Sequence, residues 1–94
     1  MTYKLTFLES AKKEWDKLSP DLQQFFKSKL SKILEQPHIP KNKLINMPGC
    51  YKIKLRTVGY RLIYRVYDER VVVQVIAIGK RDKNLIYRMA LSRL

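Results

Sequence analysis

Between Tyr51 and Arg56 the chain reads Tyr-Lys-Ile-Lys-Leu-Arg, a strict alternation of apolar and basic residues. A strand sends successive side chains to opposite faces, so Tyr51, Ile53 and Leu55 point one way and Lys52, Lys54 and Arg56 the other. One face is core and the other is a row of cations. Thr57-Val58-Gly59 supplies a short turn whose glycine can take a positive φ, and a second arm returns from Tyr60 to Tyr67, which makes a hairpin. On that arm Tyr60, Leu62, Tyr64 and Val66 share a face. Arg61, Ile63, Arg65 and Tyr67 share the other, so Arg61 and Arg65 are expected to join the cations of the first arm. No acidic residue occurs from Tyr51 to Tyr67.

The rest of the chain must cover the apolar face of this hairpin. Tyr3 to Phe7 alternates and predicts a short strand with Tyr3, Leu5 and Phe7 inward. Leu8, Ala11, Trp15 and Leu18 follow at helical spacing. Ser19-Pro20-Asp21 then restarts the count, with serine as N-cap, proline at the first helical position and aspartate against the helix dipole, so a second helix is expected from about Pro20 to Glu35. Leu22, Phe25, Phe26, Leu30, Ile33 and Leu34 form its buried face, and Lys27, Lys29 and Lys32 its wet one, opposite the basic strand face. Pro37, Pro40 and Pro48 keep helix and central strand out of the segment from Gln36 to Gly49. Met47-Pro48-Gly49-Cys50 reads as a type II turn aimed into the basic strand. Val71 to Ile78, nearly continuously apolar, suits a strand covered on both faces. A basic loop, Gly79-Lys80-Arg81-Asp82-Lys83, ends it, and Leu85, Ile86, Met89, Ala90 and Leu94 permit a last short helix capped by Asp82 or Asn84. The expected fold is α+β: a small antiparallel sheet, two N-terminal helices on one face and a short C-terminal helix, forming a single domain over residues 1–94.

Twenty Lys and Arg against eight Asp and Glu give a formal net charge of +12 in 94 residues. So patterned a charge favours a polyanionic partner, nucleic acid before acidic protein or anionic membrane. The single cysteine, Cys50, excludes an internal disulfide and a cysteine-rich metal site. His38 is also alone, in a Pro-rich loop, and reads as an exposed loop histidine with too few companions for zinc. The first residues lack the apolar run of a signal peptide and no later segment is long enough to span a bilayer, so a cytoplasmic protein is expected.

Several stretches carry a family resemblance. Glu14-Trp15, Lys43-Leu44 through Met47-Pro48, Cys50 to Arg56, Gly59-Tyr60-Arg61-Leu62-Ile63-Tyr64, Ile78-Gly79-Lys80-Arg81 and Tyr87 together resemble the RelE toxins of bacterial toxin–antitoxin modules over essentially the whole chain. The resemblance implies a microbial-ribonuclease-like fold, metal- and cofactor-independent cleavage of messenger RNA in the A site of the 70S ribosome, and inhibition by a RelB-like antitoxin. It implies that Lys52, Lys54, Arg61, Arg81 and Tyr87 surround the scissile phosphate. Lys54 would be the general base, Arg81 the general acid, Lys52 and Arg61 the stabilisers of the phosphorane, and Tyr87 a stacking or orienting group. Lys27, Lys29, Lys32, Lys43, Arg56, Arg65, Lys80 and Lys83 are the expected further contacts to RNA or ribosome. Ile45 departs from the pattern, standing where RelE sequences can carry another basic residue.

The chemistry asks for an explanation, because free lysine titrates near 10.4 and arginine far higher. Crowding cations on one small face disfavours their charged forms and lowers the lysine value. Arginine hardly deprotonates, so Arg81 is better suited to electrostatic stabilisation and donation to a departing oxyanion. Two alternatives stand beside this reading: a ParE-like gyrase inhibitor on the same fold, which would not need the five residues together, and a non-catalytic ribosome- or RNA-binding module.

Overall fold

The computed structural model describes residues 2–80 and 85–94. In chain order it runs β1 (Lys4–Phe7), α1 (Glu9–Asp16), α2 (Pro20–Ile33), a short 3-10 turn (Pro40–Asn42), β2 (Cys50–Leu55), β3 (Tyr60–Tyr67), β4 (Val72–Lys80) and α3 (Leu85–Ser92). The sheet order is β1-β4-β3-β2. The pairs β2–β3 and β3–β4 are antiparallel, as expected, but β1 pairs with β4 in parallel, from Lys4 opposite Val72 to Phe7 opposite Val75, so the sheet is mixed. Parallel neighbours need a long connection, and here α1, α2, the proline-rich segment and the β2–β3 hairpin all lie between β1 and β4. No described helix is long and apolar enough to cross a membrane.

The local signals explain most boundaries. Ser19 Oγ accepts from the Leu22 amide at 3.4 Å, with Pro20 opening α2. Gly49 has φ +74° and the Cys50 amide bonds the Met47 carbonyl at 3.0 Å, closing the turn into β2. Gly59 has φ +70° in the hairpin turn. β4 starts one residue later than the apolar run suggests, because Val71 belongs to the preceding turn with φ +56°, an unusual conformation for a β-branched residue.

Two hydrophobic clusters lie on opposite faces of the sheet. On one, Trp15, Phe26, Leu30 and Ile33 of the helices meet Ile53, Leu62, Tyr64 and Val75. On the other, Cys50, Ile63, Ile76 and Ala77 lie under Leu44, Met47, Ile86 and Ala90. The basic face is therefore not left open along its length, because α3 and residues 44–47 cover one end of it. At the edge of the sheet Leu5 stays 37% exposed, since β1 has a neighbour on one side only and the helices do not fully roof it.

A bulge shapes the covered end. Ile63 faces Ala77 and Tyr64 faces Val75, so Ile76 has no partner on β3. Ile76 and Ala77 consequently both join the cluster beneath α3. β1 stops opposite Val75, and side chains bond the edge of β4 beyond it. Arg93 Nη1 donates to the Ile76 carbonyl at 2.9 Å, and the Ile78 amide donates to Glu14 Oε1 at 3.1 Å. Arg93 and Glu14 meet each other through two bonds of 2.9 Å, tying the end of α3 to α1.

The proline-rich connection is pinned as well. Tyr64 Oη donates to the Pro37 carbonyl at 3.0 Å. His38 is not an isolated loop residue: Nδ1 lies 3.0 Å from Tyr51 Oη and Nε2 lies 2.7 Å from Asp68 Oδ1, which also accepts from Tyr3 Oη at 2.7 Å. This clasp joins the chain start, the loop, β2 and the β3–β4 turn. It also keeps His38 away from Cys50, whose side chain is buried in the cluster on the other face and whose thiol is pushed up by that burial.

Candidate active site

The β2–β3 register sets Lys54 opposite Arg61 and Lys52 opposite Ile63, while Arg61 faces Gly79 across β3–β4. Arg61 thus projects from an interior strand, flanked on both sides. Only 8% of it is exposed, and among the described residues its Nε has no hydrogen-bond partner. An unpaired donor on a buried cation costs free energy, and an anion arriving beside it recovers that cost. Lys54 lies alongside. Its ammonium is held below the ordinary lysine value, first by the neighbouring ammonium of Lys52, then by partial desolvation and the charges of Arg61 and Arg56.

Two hollows flank this pair. A cleft of about 350 Å³ is lined by Lys54, Leu55, Arg56, Gly59 and Arg61. A groove of similar volume on the other side has Lys43, Ile45, Lys52, Tyr87, Arg88 and Leu91 in its walls, so α3 brings Tyr87 to the same hollow as Lys52 and Lys43. Ile45 is 95% exposed at its rim.

The remaining candidates divide. Arg56 stands in the cleft, whereas Arg65 lies opposite Cys50 at the far end of the hairpin, its guanidinium 4.9 Å from the Tyr67 ring centre. Lys54 and Arg65 are therefore separated by four residues of ladder, about 13 Å at strand rise. Shared parity put Arg65 on the right face but not beside the cations of β2. Lys80 ends β4 with Nζ 5.9 Å from the Tyr60 ring centre. The helical lysines split: Lys27 lines a hollow with Leu5, Phe7 and Trp15, while Lys29 and Lys32 line another with Lys54 and Arg56. Lys29 and Lys32 are thus not on a surface opposite the basic strand, because the groove between α2 and β2 connects the two. Arg81 and Lys83, with Asp82 and Asn84, lie outside the described residues. Sequence reasoning missed Lys41 and Asn42, which reach this groove from the 3-10 turn; their proximity depends on how the clasp folds the connection.

Comparison with known proteins follows the same lines. Residues 5–85 match the family described as ParE toxin of type II toxin–antitoxin system, parDE. Over 94 residues, all of this chain and 99% of the relative, the sequence is 52% identical to the mRNA interferase toxin RelE of Escherichia coli strain K12. The chain belongs to the RelE family of toxins. The fold agrees at the level of coordinates: a free-state double mutant of E. coli RelE superposes with a TM-score of 0.92 at 51% identity, covering 100% of this chain and 99% of that one. RelE in the intact E. coli RelBE toxin–antitoxin complex gives 0.83 at 55% identity, over 85% of this chain and 98% of that one. Three helices on a four-stranded mixed sheet, an α+β fold, are thus shared with these RelE structures.

Proposed function

We propose that this chain is the toxin of a type II toxin–antitoxin module, acting in the cytoplasm as a ribosome-dependent endoribonuclease that cuts messenger RNA in the A site. The observation that carries the reading is the buried Arg61, whose Nε meets no partner among the described residues, beside a Lys54 whose proton is loosened by Lys52. The RelE relative at 52% identity, named an mRNA interferase, supports the substrate class.

In the reaction proposed, Lys54 in its neutral form takes the proton of the ribose 2′-hydroxyl, whose oxygen attacks the adjacent phosphorus. Arg61 and Lys52 bond the non-bridging oxygens as negative charge builds on them, which is where fixed cations stabilise a transition state most. The P–O5′ bond breaks, Arg81 donates to the leaving oxygen, and a 2′,3′-cyclic phosphate remains. Tyr87 orients the nucleotide from α3. Only the neutral fraction of a lysine can take a proton, so the ribosome's alignment of the attacking oxygen with the phosphorus contributes a large share of the rate. Lys43, Lys80, Lys83, Arg65 and Lys27 are assigned to outer contacts with ribosomal RNA.

Control falls to a RelB-like antitoxin, as in the RelBE complex of E. coli. An acidic, extended, partly helical chain suits a small cationic domain, and α3 is the element it displaces, which removes Tyr87 from the groove it shares with Lys52.

The match to the ParE family gives the second reading, a gyrase inhibitor. Purified protein added separately to programmed ribosomes and to a gyrase supercoiling reaction distinguishes them. Messenger cleavage without loss of supercoiling is expected; loss of supercoiling with intact messenger would overturn the proposal.

A further inference from the structure

Among the described residues three ion pairs form, and two of them lie in the open: Lys12 with Asp16, and His38 with Asp68. The third, Arg93 with Glu14, has side chains only 19% and 23% exposed. Exposed pairs contribute little, whereas a forked pair shielded from water fixes its partners in one geometry. Here Nη1 and Nη2 of Arg93 each bond one oxygen of the Glu14 carboxylate at 2.9 Å. Glu14 Oε1 also accepts from the Ile78 amide at 3.1 Å, and Arg93 Nη1 donates to the Ile76 carbonyl at 2.9 Å. The pair therefore grips β4 past the point where β1 stops.

What the pair joins is the frame of the reacting centre. Ile78 precedes Gly79, which faces Arg61. α3 rests directly on that glycine, since a Cβ added there would lie 3.4 Å from Ile86 Cδ1 and 4.0 Å from Met89 Cε. The same helix carries Tyr87 into the groove of Lys52. With eight residues α3 is too short to persist as a helix by itself. Burial of Ile86 and Ala90 holds it down without fixing its direction, because apolar burial is non-directional. The forked bonds at Arg93 supply the direction, about 9 Å from Tyr87 at helical rise.

We infer that Glu14 is a positioning residue for the cleavage reaction, a role that rests on the proposed chemistry: through Arg93 it sets where α3 holds Tyr87, and through Ile78 it keeps the strand behind Arg61 in step with that helix. Glu14 stands on α1, outside the linings of the Arg61 cleft and of the Tyr87 groove. It acts on the reaction through Tyr87 and not by touching the reacting groups. Loosening it lets the nucleotide turn out of line, which lowers the rate of the bound complex and not its formation.

The test times single-turnover cleavage on programmed ribosomes by primer extension. Glu14→Gln is expected to lower the saturated rate about tenfold, less than the hundredfold that a misplacement of about 1 Å can cost, with the half-saturating toxin concentration unchanged. Asp16→Asn, which breaks an exposed pair on the same helix, leaves the rate as it is. In a Tyr87→Ala background Glu14→Gln costs about twofold at most, because the group it positions is already gone. Should Glu14→Gln fold poorly, Arg93→Lys keeps one bond of the fork and gives the same pattern with a smaller fall. Fluorine NMR on free protein made with fluorotyrosine reads the position without activity: the Tyr87 signal, identified by its loss in Tyr87→Phe, shifts in Glu14→Gln while those of the clasp residues Tyr3 and Tyr51 stay. An unchanged rate, an unmoved Tyr87 signal, or an equal loss in both backgrounds overturns the role. So does a shift of Tyr3 and Tyr51 together with Tyr87, which would mark a general loosening of the fold. Absence of cutting by the wild-type protein overturns the proposed activity instead, and the fluorine signal still decides whether Glu14 sets the place of Tyr87.

Discussion

Lys54 and Arg61 face each other across the hairpin, and their chemistry rests on different physical effects. Replacing either with alanine is expected to lower kcat on programmed ribosomes by about 10² or more, since each interaction is stronger in the transition state than in the ground state; primer extension measures it, and wild-type rates would remove that residue from the mechanism. The pH profile separates base from stabiliser. A base must be neutral, so the rate rises with pH through the folded value of Lys54. Lys52 is the leading cause of its depression, so Lys52→Gln should move that limb to higher pH, and an unmoved limb would show that Lys54 is not the base. Asp68 offers a stability counterpart. Its carboxyl is held below the usual range, first by the Tyr3 hydroxyl and then by His38, so it stabilises the fold above the ordinary aspartate value near 3.9 and that stabilisation is lost as pH falls through its lower folded value. Asp68→Asn should flatten this acid limb in urea titrations; an identical slope would show that the clasp contributes nothing through ionisation. The alternation made Lys52, Lys54 and Arg61 legible in the sequence, because parity alone assigns a face. It could not show that Arg61 would be buried, which follows from β3 being an interior strand, nor that Arg65 would lie at the wrong end.

At the scale of elements, α3 is held at its end by the Arg93–Glu14 pair and along its length by Ile86 and Ala90. Glu14→Gln removes the charge that makes this pair strong. Hydrogen exchange across Leu85–Ser92 should quicken by about tenfold, the cost of weakening charged hydrogen bonds in a partly buried site. Antitoxin binding should tighten by a similar factor if displacement of α3 is how the toxin is silenced. Faster exchange with unchanged affinity, or an α3 that keeps its protection in the complex, would favour simple occlusion of the basic face. Val71 is the other local test. Its φ of +56° strains a β-branched residue, so Val71→Asn should raise stability by about 1 kcal/mol, read as a higher melting temperature; a lower one would mean that its packing outweighs the strain. Element types were legible because Ser19-Pro20, Pro48-Gly49 and the strand alternation are local signals. The parallel pairing of β1 with β4 was not, since it is decided by where the crossover returns the chain, and neither was the β4 bulge that seats Ile76 and Ala77 under α3.

The whole molecule carries +12 on 94 residues, and the cleft where RNA is proposed to lie and the groove beside it concentrate that charge in their linings. Binding to ribosomes should therefore weaken steeply as salt rises, and the slope should fall in Lys32→Glu/Lys41→Glu as phosphate contacts are lost. Charge and family were readable from sequence; the joining of Lys29 and Lys32 to Lys54 through one groove was not, because it requires α2, the proline-rich connection and β2 to be placed together. These cations are proposed to promote attack by a ribose hydroxyl on its neighbouring phosphate. The most direct measurement is primer extension on ribosomes programmed with paired messengers, all-ribose or carrying 2′-deoxy at the one nucleotide that precedes the cut. A cut in the A site of the first and none at that position in the second is the result expected, and equal cutting of both would contradict it.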